Sequence, residues 1–221
     1  MVPSVAQGRR FAGAIFDFDG TIADTLPVCI EAFQLTFEQH DGPRLDAAGV
    51  RSLFGPSEEG VLTNALGDQA DAALETYLAE YTRLHESSPT PFPGIRSLLD
   101  ELRDRGVPLA IVTGKGPRSV RISLDYIGLS GFFDPIEAGS PNGSVKGEAM
   151  TRVARSWELA PDRIVSVGDH ITDIHEARKA GTIPVSVVWA HPGSAPELLA
   201  AQPEALFETV ATFTDWLLPQ V

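Results

Sequence analysis

Four short segments carry residues whose types and spacing suit chemistry on a phosphate group. They are Asp17-Phe18-Asp19-Gly20-Thr21, Thr113-Gly114-Lys115, the single Lys146, and Gly168-Asp169-His170-Ile171-Thr172-Asp173. Asp17, Asp169 and Asp173 offer hard carboxylate oxygens, which Mg²⁺ takes together with substrate phosphate and water. Carboxylates crowded without a cation push each other's pKa upward, and a divalent ion resolves that conflict. Lys146 adds a point charge for a phosphoryl oxygen. Thr113 and the backbone amides after Asp17, beginning with that of Phe18, offer hydrogen-bond donors. Gly20 and Gly114 let the backbone approach an anion closely.

These segments need elements to hold them. Short apolar runs at 11–16, 107–112, 163–167 and 183–189 read as buried strands. Helical patterns at 95–105, 118–127, 147–157 and 172–180 alternate with them, which predicts a parallel sheet covered on both faces. In such a sheet, ligands bind outside the carboxyl ends of the strands, where the four segments fall. The stretch 24–88 breaks the rhythm: it has helical patterns at 26–39, 46–54, 58–66 and 70–86 and no convincing strand. Ser57 and Asp68 are helix-start residues there, and Pro27 suits a first turn. A Pro-rich return, Ser87-Ser88-Pro89-Thr90-Pro91-Phe92-Pro93-Gly94, closes it. The fold class expected is α/β: a Rossmann-like parallel-sheet core (1–23 and 89–221) with a small inserted α-helical cap domain (24–88). A cap hinged by two chain crossings can open and close over a site.

In order and spacing, Asp-Phe-Asp-Gly-Thr, Thr-Gly-Lys, a lone Lys and Gly-Asp-x-x-x-Asp-Ile resemble the phosphatases of the haloacid-dehalogenase superfamily, in the branch with phosphoglycolate-phosphatase-like proteins. The resemblance runs from Phe11 to about Trp189. It implies that Asp17 is a nucleophile carrying a transient phosphoryl group. Asp19 would act as general acid and base, and its backbone carbonyl would meet Mg²⁺. Asp169 and Asp173 would complete the metal set with Asp17, while Thr113 and Lys146 bind the phosphoryl oxygens. The sequence departs from the family pattern in two places. His170 replaces a small hydroxyl residue, and Gly147-Glu148 follow Lys146 where many relatives have proline.

Within that family, Asp19 argues against a dehalogenase, because a halide needs no proton to leave. No lysine occurs between Asp24 and Phe92, which argues against the Schiff-base chemistry of a phosphonatase. A sugar-phosphate mutase, whose second phosphate would fall to Arg44, Arg51 or Arg83, and a non-catalytic phospholigand-binding module remain the alternatives. Lys115 competes with Lys146 for the phosphate. Arg51 and the Phe54–Ser57 turn are candidates to touch the leaving group. His170 is a candidate to touch substrate, against a solvent-facing helix start; His191 and Trp189 are candidates for the rim, against structural roles, and Cys29 reads as core.

Composition bounds the partners. The chain has 221 residues, 43% hydrophobic and 21% charged, with a formal net charge of −13. That charge argues against nucleic acid or an anionic membrane as partner and leaves a small phosphorylated metabolite. One cysteine excludes a disulfide framework. No apolar run reaches the ~18 residues of a membrane span, and no secretory signal pattern is visible, so a cytoplasmic setting is expected. Monomer and dimer are both compatible with the sequence.

Overall fold

The computed structural model describes residues 9–85 and 90–221. The first apolar run forms strand β1 (Gly13–Phe16), shorter than the 11–16 expected because only these residues join the ladder. It pairs in parallel with β2 (Leu109–Val112) on one side and β4 (Ile164–Gly168) on the other. Beyond β2 lies β3 (Ile136–Glu137), and beyond β4 lie β5 (Ile183–Val187) and β6 (Ala205–Phe207). The six-stranded sheet has the order β3-β2-β1-β4-β5-β6, and every pairing is parallel. The chain therefore winds outward from β1 in one direction, then from β4 in the other. The switch point lies between those two strands, where a crevice opens at their carboxyl ends.

Both faces are covered, because successive side chains of a strand point to opposite faces. Ala14 and Phe16 pack with α5 (Ile95–Asp104), α6 (Pro117–Tyr126) and α10 (Val210–Leu217) through Leu98, Leu99, Val120, Leu124 and Phe213. On the opposite face, Ile15, Ala110 and Val112 pack with α7 (Lys146–Ser156) and α8 (Ile171–Ala180) through Met150, Val153 and Ala177. A last helix, α9 (Ala195–Ala200), covers the β5 side through Leu198.

The inserted stretch folds as α1 (Leu26–Gln39), α2 (Ala47–Arg51), α3 (Glu58–Leu66) and α4 (Ala70–His85). These helices share their own apolar cluster of Phe33, Phe37, Leu62, Tyr77 and Tyr81, among others, which Ile122 of α6 joins from the core. Pro27 stands in the first turn of α1, as expected. The second helix is shorter than predicted. Asp46 caps it by accepting from the Gly49 N–H at 2.8 Å, and it stops at Arg51 before the Phe54-Gly55-Pro56 turn. Ser57 holds the N-cap position of α3, but its hydroxyl makes no capping bond. Asp68 lies in a 3-10 turn, Gly67–Gln69, that runs into α4. The Ser87–Pro89 part of the return, and with it the expected boundary at 88, lies outside the described residues. Among the described residues, no helix is long and apolar enough to cross a membrane.

Candidate functional site

Strand β1 delivers Asp17 directly, since the Asp17 N–H continues the ladder onto the Val167 carbonyl at 2.8 Å. The chain then folds sharply: the Phe18 carbonyl accepts from the Ile22 N–H at 2.9 Å, and Gly20 sits at φ 78°. A Cβ on Gly20 would lie 2.1 Å from Asp169 Oδ2, so only glycine lets the β1 turn and the β4 carboxylate share this space. Gly168 makes the same allowance for Asp173, whose Oδ2 would lie 2.4 Å from an added Cβ. Around Gly114 a Cβ would meet nothing within 4 Å, so the chain's own packing places no such demand there.

Asp17, Asp169 and Asp173 bring one oxygen each to within 4.8 Å of one another. Lys146, at the first turn of α7, reaches Asp173 Oδ1 at 2.6 Å and Asp17 Oδ1 at 3.1 Å. The other Asp173 oxygen accepts from the His170 N–H at 3.0 Å, which closes a capping box at the start of α8. His170 is thus the helix cap: its Nδ1 accepts from the Thr172 N–H at 3.3 Å, and the exposed ring borders the cavity.

One lysine does not neutralise three carboxylates. Burial, with Asp173 and Asp19 nearby, outweighs Lys146 and raises the Asp17 carboxyl to about 7. Burial and the charges of Asp17 and Asp173 raise Asp169 to about 8. Among the described residues Asp169 makes no ion pair, and its one hydrogen bond is a long 3.5 Å contact from Thr21 Oγ1. An all-oxygen set with repelling charges and an unpaired member fits a hard divalent cation such as Mg²⁺.

Both carboxyls bind protons more tightly in the folded protein than in the unfolded chain. Their contribution to stability is therefore full below about pH 4 and is lost as pH rises through 7 and 8. Without divalent metal, the melting temperature should fall by several degrees between pH 5 and pH 8, and Mg²⁺ should restore most at pH 8. A pH-independent melting temperature that Mg²⁺ leaves unchanged would contradict this charge balance.

The second group centres on Asp19. Its Oδ1 accepts from the Thr25 hydroxyl and pairs with Lys115 Nζ at 3.1 Å. Lys115 is 4% exposed, and its ammonium lies 4.6 Å from the ring centre of Tyr81 on α4. Burial opposes its charge, but Asp19 and Glu58 hold its pKa well above the usual lysine value. Glu58, at the start of α3, accepts from the Gly116 N–H and from Ser119 Oγ, the latter at 2.5 Å. Burial raises the Glu58 carboxyl despite Lys115. Lower on α6, Tyr81 and His85 both bond the Ser123 hydroxyl, at 2.8 and 3.1 Å. The inserted helices are thus docked on α6 through buried polar groups.

Between these groups and the inserted helices lies a cavity of about 480 Å³. Asp17, Asp19, Thr113, Gly114, Lys146 and Asp169 line its floor, while Phe33, Arg51, Phe54 and Val61 line its roof. The expected residues therefore converge, with two qualifications. The Phe18 side chain is fully buried in the core, and what it brings to the site is its backbone amide, which bonds the Asp17 carboxyl. Thr113 is 2% exposed, and its hydroxyl accepts from the Lys115 N–H at 3.2 Å. Lys146, not Lys115, sits at Asp17. Trp189 is structural, its Nε1 donating to the Thr21 carbonyl at 3.1 Å, whereas His191 lines the cavity. Cys29 packs in the inserted cluster and also borders the cavity. Sequence reasoning missed Thr25, Glu58 and Tyr81. Glu58 reads as an ordinary first-turn acid, and only its burial at α6 reveals otherwise.

The fold and site together define a doubly wound α/β protein with a carboxylate–lysine cluster at its switch point. The chain matches the haloacid dehalogenase-like hydrolase family over residues 14–188 and belongs to it. The phosphoglycolate phosphatase of Synechococcus elongatus is 30% identical over 199 residues, which cover 88% of this chain and 92% of that protein. The tyrosine-protein kinase PtkA of Mycobacterium tuberculosis is 29% identical over 180 residues; these cover 80% of this chain but 62% of PtkA. Among solved structures, the haloacid dehalogenase-like hydrolase SP0104 from Streptococcus pneumoniae superposes with a TM-score of 0.74 at 27% identity, covering 94% of this chain and 98% of the other.

Proposed function

We propose that this protein is a Mg²⁺-dependent phosphatase that hydrolyses a small phosphomonoester through an aspartyl-phosphate on Asp17. The observation that carries the reading is the unbalanced cluster of Asp17, Asp169 and Asp173 at the switch point, with Lys146 bridging two of its members. The Synechococcus elongatus relative, named a phosphoglycolate phosphatase, supports the same reaction class.

In the first step an Asp17 carboxylate oxygen attacks phosphorus. The P–O ester bond breaks, and its electron pair leaves with the alkoxide, which takes a proton from Asp19. In the second step Asp19 takes a proton from water, whose oxygen attacks phosphorus. Inorganic phosphate leaves, and the Asp17 carboxylate is restored. Lys146 orients Asp17 and, with Thr113 and the amides of Phe18 and its neighbours, holds the phosphoryl oxygens. Asp17, Asp169, Asp173 and the Asp19 carbonyl would hold Mg²⁺, which supplies charge for the phosphoryl oxygens. Residues 24–88 act as the cap that excludes water from this centre.

Phosphate release from a panel of small acid and sugar phosphates tests the reading. Release should require Mg²⁺ and stop with EDTA. Absence of release from every ester by folded, Mg²⁺-loaded protein would overturn it. Interconversion of sugar phosphates primed by a bisphosphate would favour a mutase.

A further inference from the structure

We infer that Lys115 is a positioning residue for Asp19, seated by the cap, so that docking of the cap completes the acid–base apparatus. This rests on the phosphatase reading and extends it to a residue outside the metal and phosphoryl groups.

Lys115 borders the same cavity as Asp17 and Lys146, with its ammonium committed to Asp19. Its ammonium has Asp19 Oδ1 at 3.1 Å, the Tyr81 ring centre at 4.6 Å and the Glu58 carboxylate in its field. The ion pair to Asp19 engages the same oxygen that accepts from the Thr25 hydroxyl. Two anchors on Oδ1 fix the carboxyl plane, and Oδ2 is left for proton exchange with the leaving oxygen or the attacking water. A group that must hand over a proton loses rate steeply when its geometry loosens, which makes such anchoring consequential.

Two of the three groups around the ammonium, Tyr81 and Glu58, belong to the inserted helices. Glu58 is itself fixed by the Gly116 N–H and the Ser119 hydroxyl at the start of α6. Undocking the cap therefore strips Lys115 of both, and a lysine that is 4% exposed becomes free to leave Asp19 for water. A purely structural salt bridge would have no reason to end on the acid–base carboxyl. A phosphate anchor would point at the phosphoryl position, which Lys146 already serves from its place between Asp17 and Asp173.

The test compares two esters on one preparation of enzyme. Glycerol 1-phosphate has a poor leaving group that needs a proton, whereas 4-nitrophenyl phosphate has a good one that hardly does. Lys115→Met leaves Glu58 and Asp19 without their partner and lowers the folded fraction, but that loss cancels in the ratio of the two rates. The expected result is a kcat/KM loss of about 10- to 100-fold on glycerol 1-phosphate, carried by kcat, and of less than about 3-fold on 4-nitrophenyl phosphate, because kcat/KM reports the steps up to release of the leaving group and leaves out the later hydrolysis in which Asp19 serves both esters. Tyr81→Leu should give the same selectivity at about 3- to 10-fold, because the cap's ring then no longer covers the ammonium. Equal losses of kcat/KM on both esters, or a loss on glycerol 1-phosphate carried by a raised KM with kcat intact, would overturn the inference while leaving the phosphatase reading standing. A Tyr81→Leu protein without selectivity would remove the cap from it. Wild-type protein inactive on these two esters and on every other member of the phosphomonoester panel would overturn the phosphatase reading and this inference with it.

Discussion

Replacing Asp17 with Asn is expected to lower phosphate release by at least about 10⁴-fold, because an amide cannot attack phosphorus while the rest of the site survives. The geometry makes this substitution clean. Lys146 keeps its 2.6 Å partner, Asp173 Oδ1, so no buried ammonium is left alone. The exchange also removes a carboxyl that burial and its neighbours hold near pH 7, so the metal-free fold should melt no lower than the wild type at pH 8. Loss of activity without loss of stability separates a nucleophile from a structural residue. A reduction smaller than about tenfold would take the chemistry away from Asp17.

Replacing Asp169 with Asn should produce the second-largest effect, with the two readouts moving in opposite directions. Asp169 has no ion pair among the described residues, and burial together with Asp17 and Asp173 raises it to about 8. It is a cost to the fold without metal and a ligand to the metal when bound. Activity should fall by about 10³-fold, the order expected when several kcal/mol of charge stabilisation is lost. The metal-free melting temperature should instead rise by about 2–4 °C per kcal/mol of relieved repulsion. Mg²⁺ should then shift melting far less than in the wild type. Wild-type activity with an unchanged Mg²⁺ shift would place the metal elsewhere. Sites that trade stability for chemistry in this way are a general expectation for enzymes.

The phosphate-directed segments were legible because their signals are local: an apolar run ending in Asp17, another ending in Thr113, and Gly168 followed by Asp169 and, four residues on, Asp173. The sheet order was not legible in full. Strand β3 has two residues and β6 three, and Ile136, Glu137 and the β6 residues are not fully buried, so no apolar run announces them. Helices α9 and α10 follow the stretch where the motifs stop, and no reading of the motifs extends to them. The helix expected at 46–54 gives way after Arg51 to tighter i→i+3 turn bonds, with the Leu53 N–H on the Val50 carbonyl at 3.0 Å and the Phe54 N–H on the Arg51 carbonyl at 3.1 Å. The choice between Lys146 and Lys115 needed three-dimensional placement: one lies between Asp17 and Asp173, the other against Asp19. Glu58 and Tyr81 left no trace because their partners are about 40 to 60 residues away on α6.

The central claim is the covalent intermediate on Asp17, and a single-turnover experiment reaches it most directly. Excess enzyme would be mixed with a turned-over phosphomonoester and Mg²⁺, quenched in acid at successive times, and digested for mass analysis. The account requires that the peptide containing Asp17 gain the mass of one phosphoryl group before phosphate appears, lose it as phosphate accumulates, and never gain it in the Asp17→Asn protein. Phosphate released at full rate with no phosphorylated peptide at any time, or with the group on another residue, would contradict it.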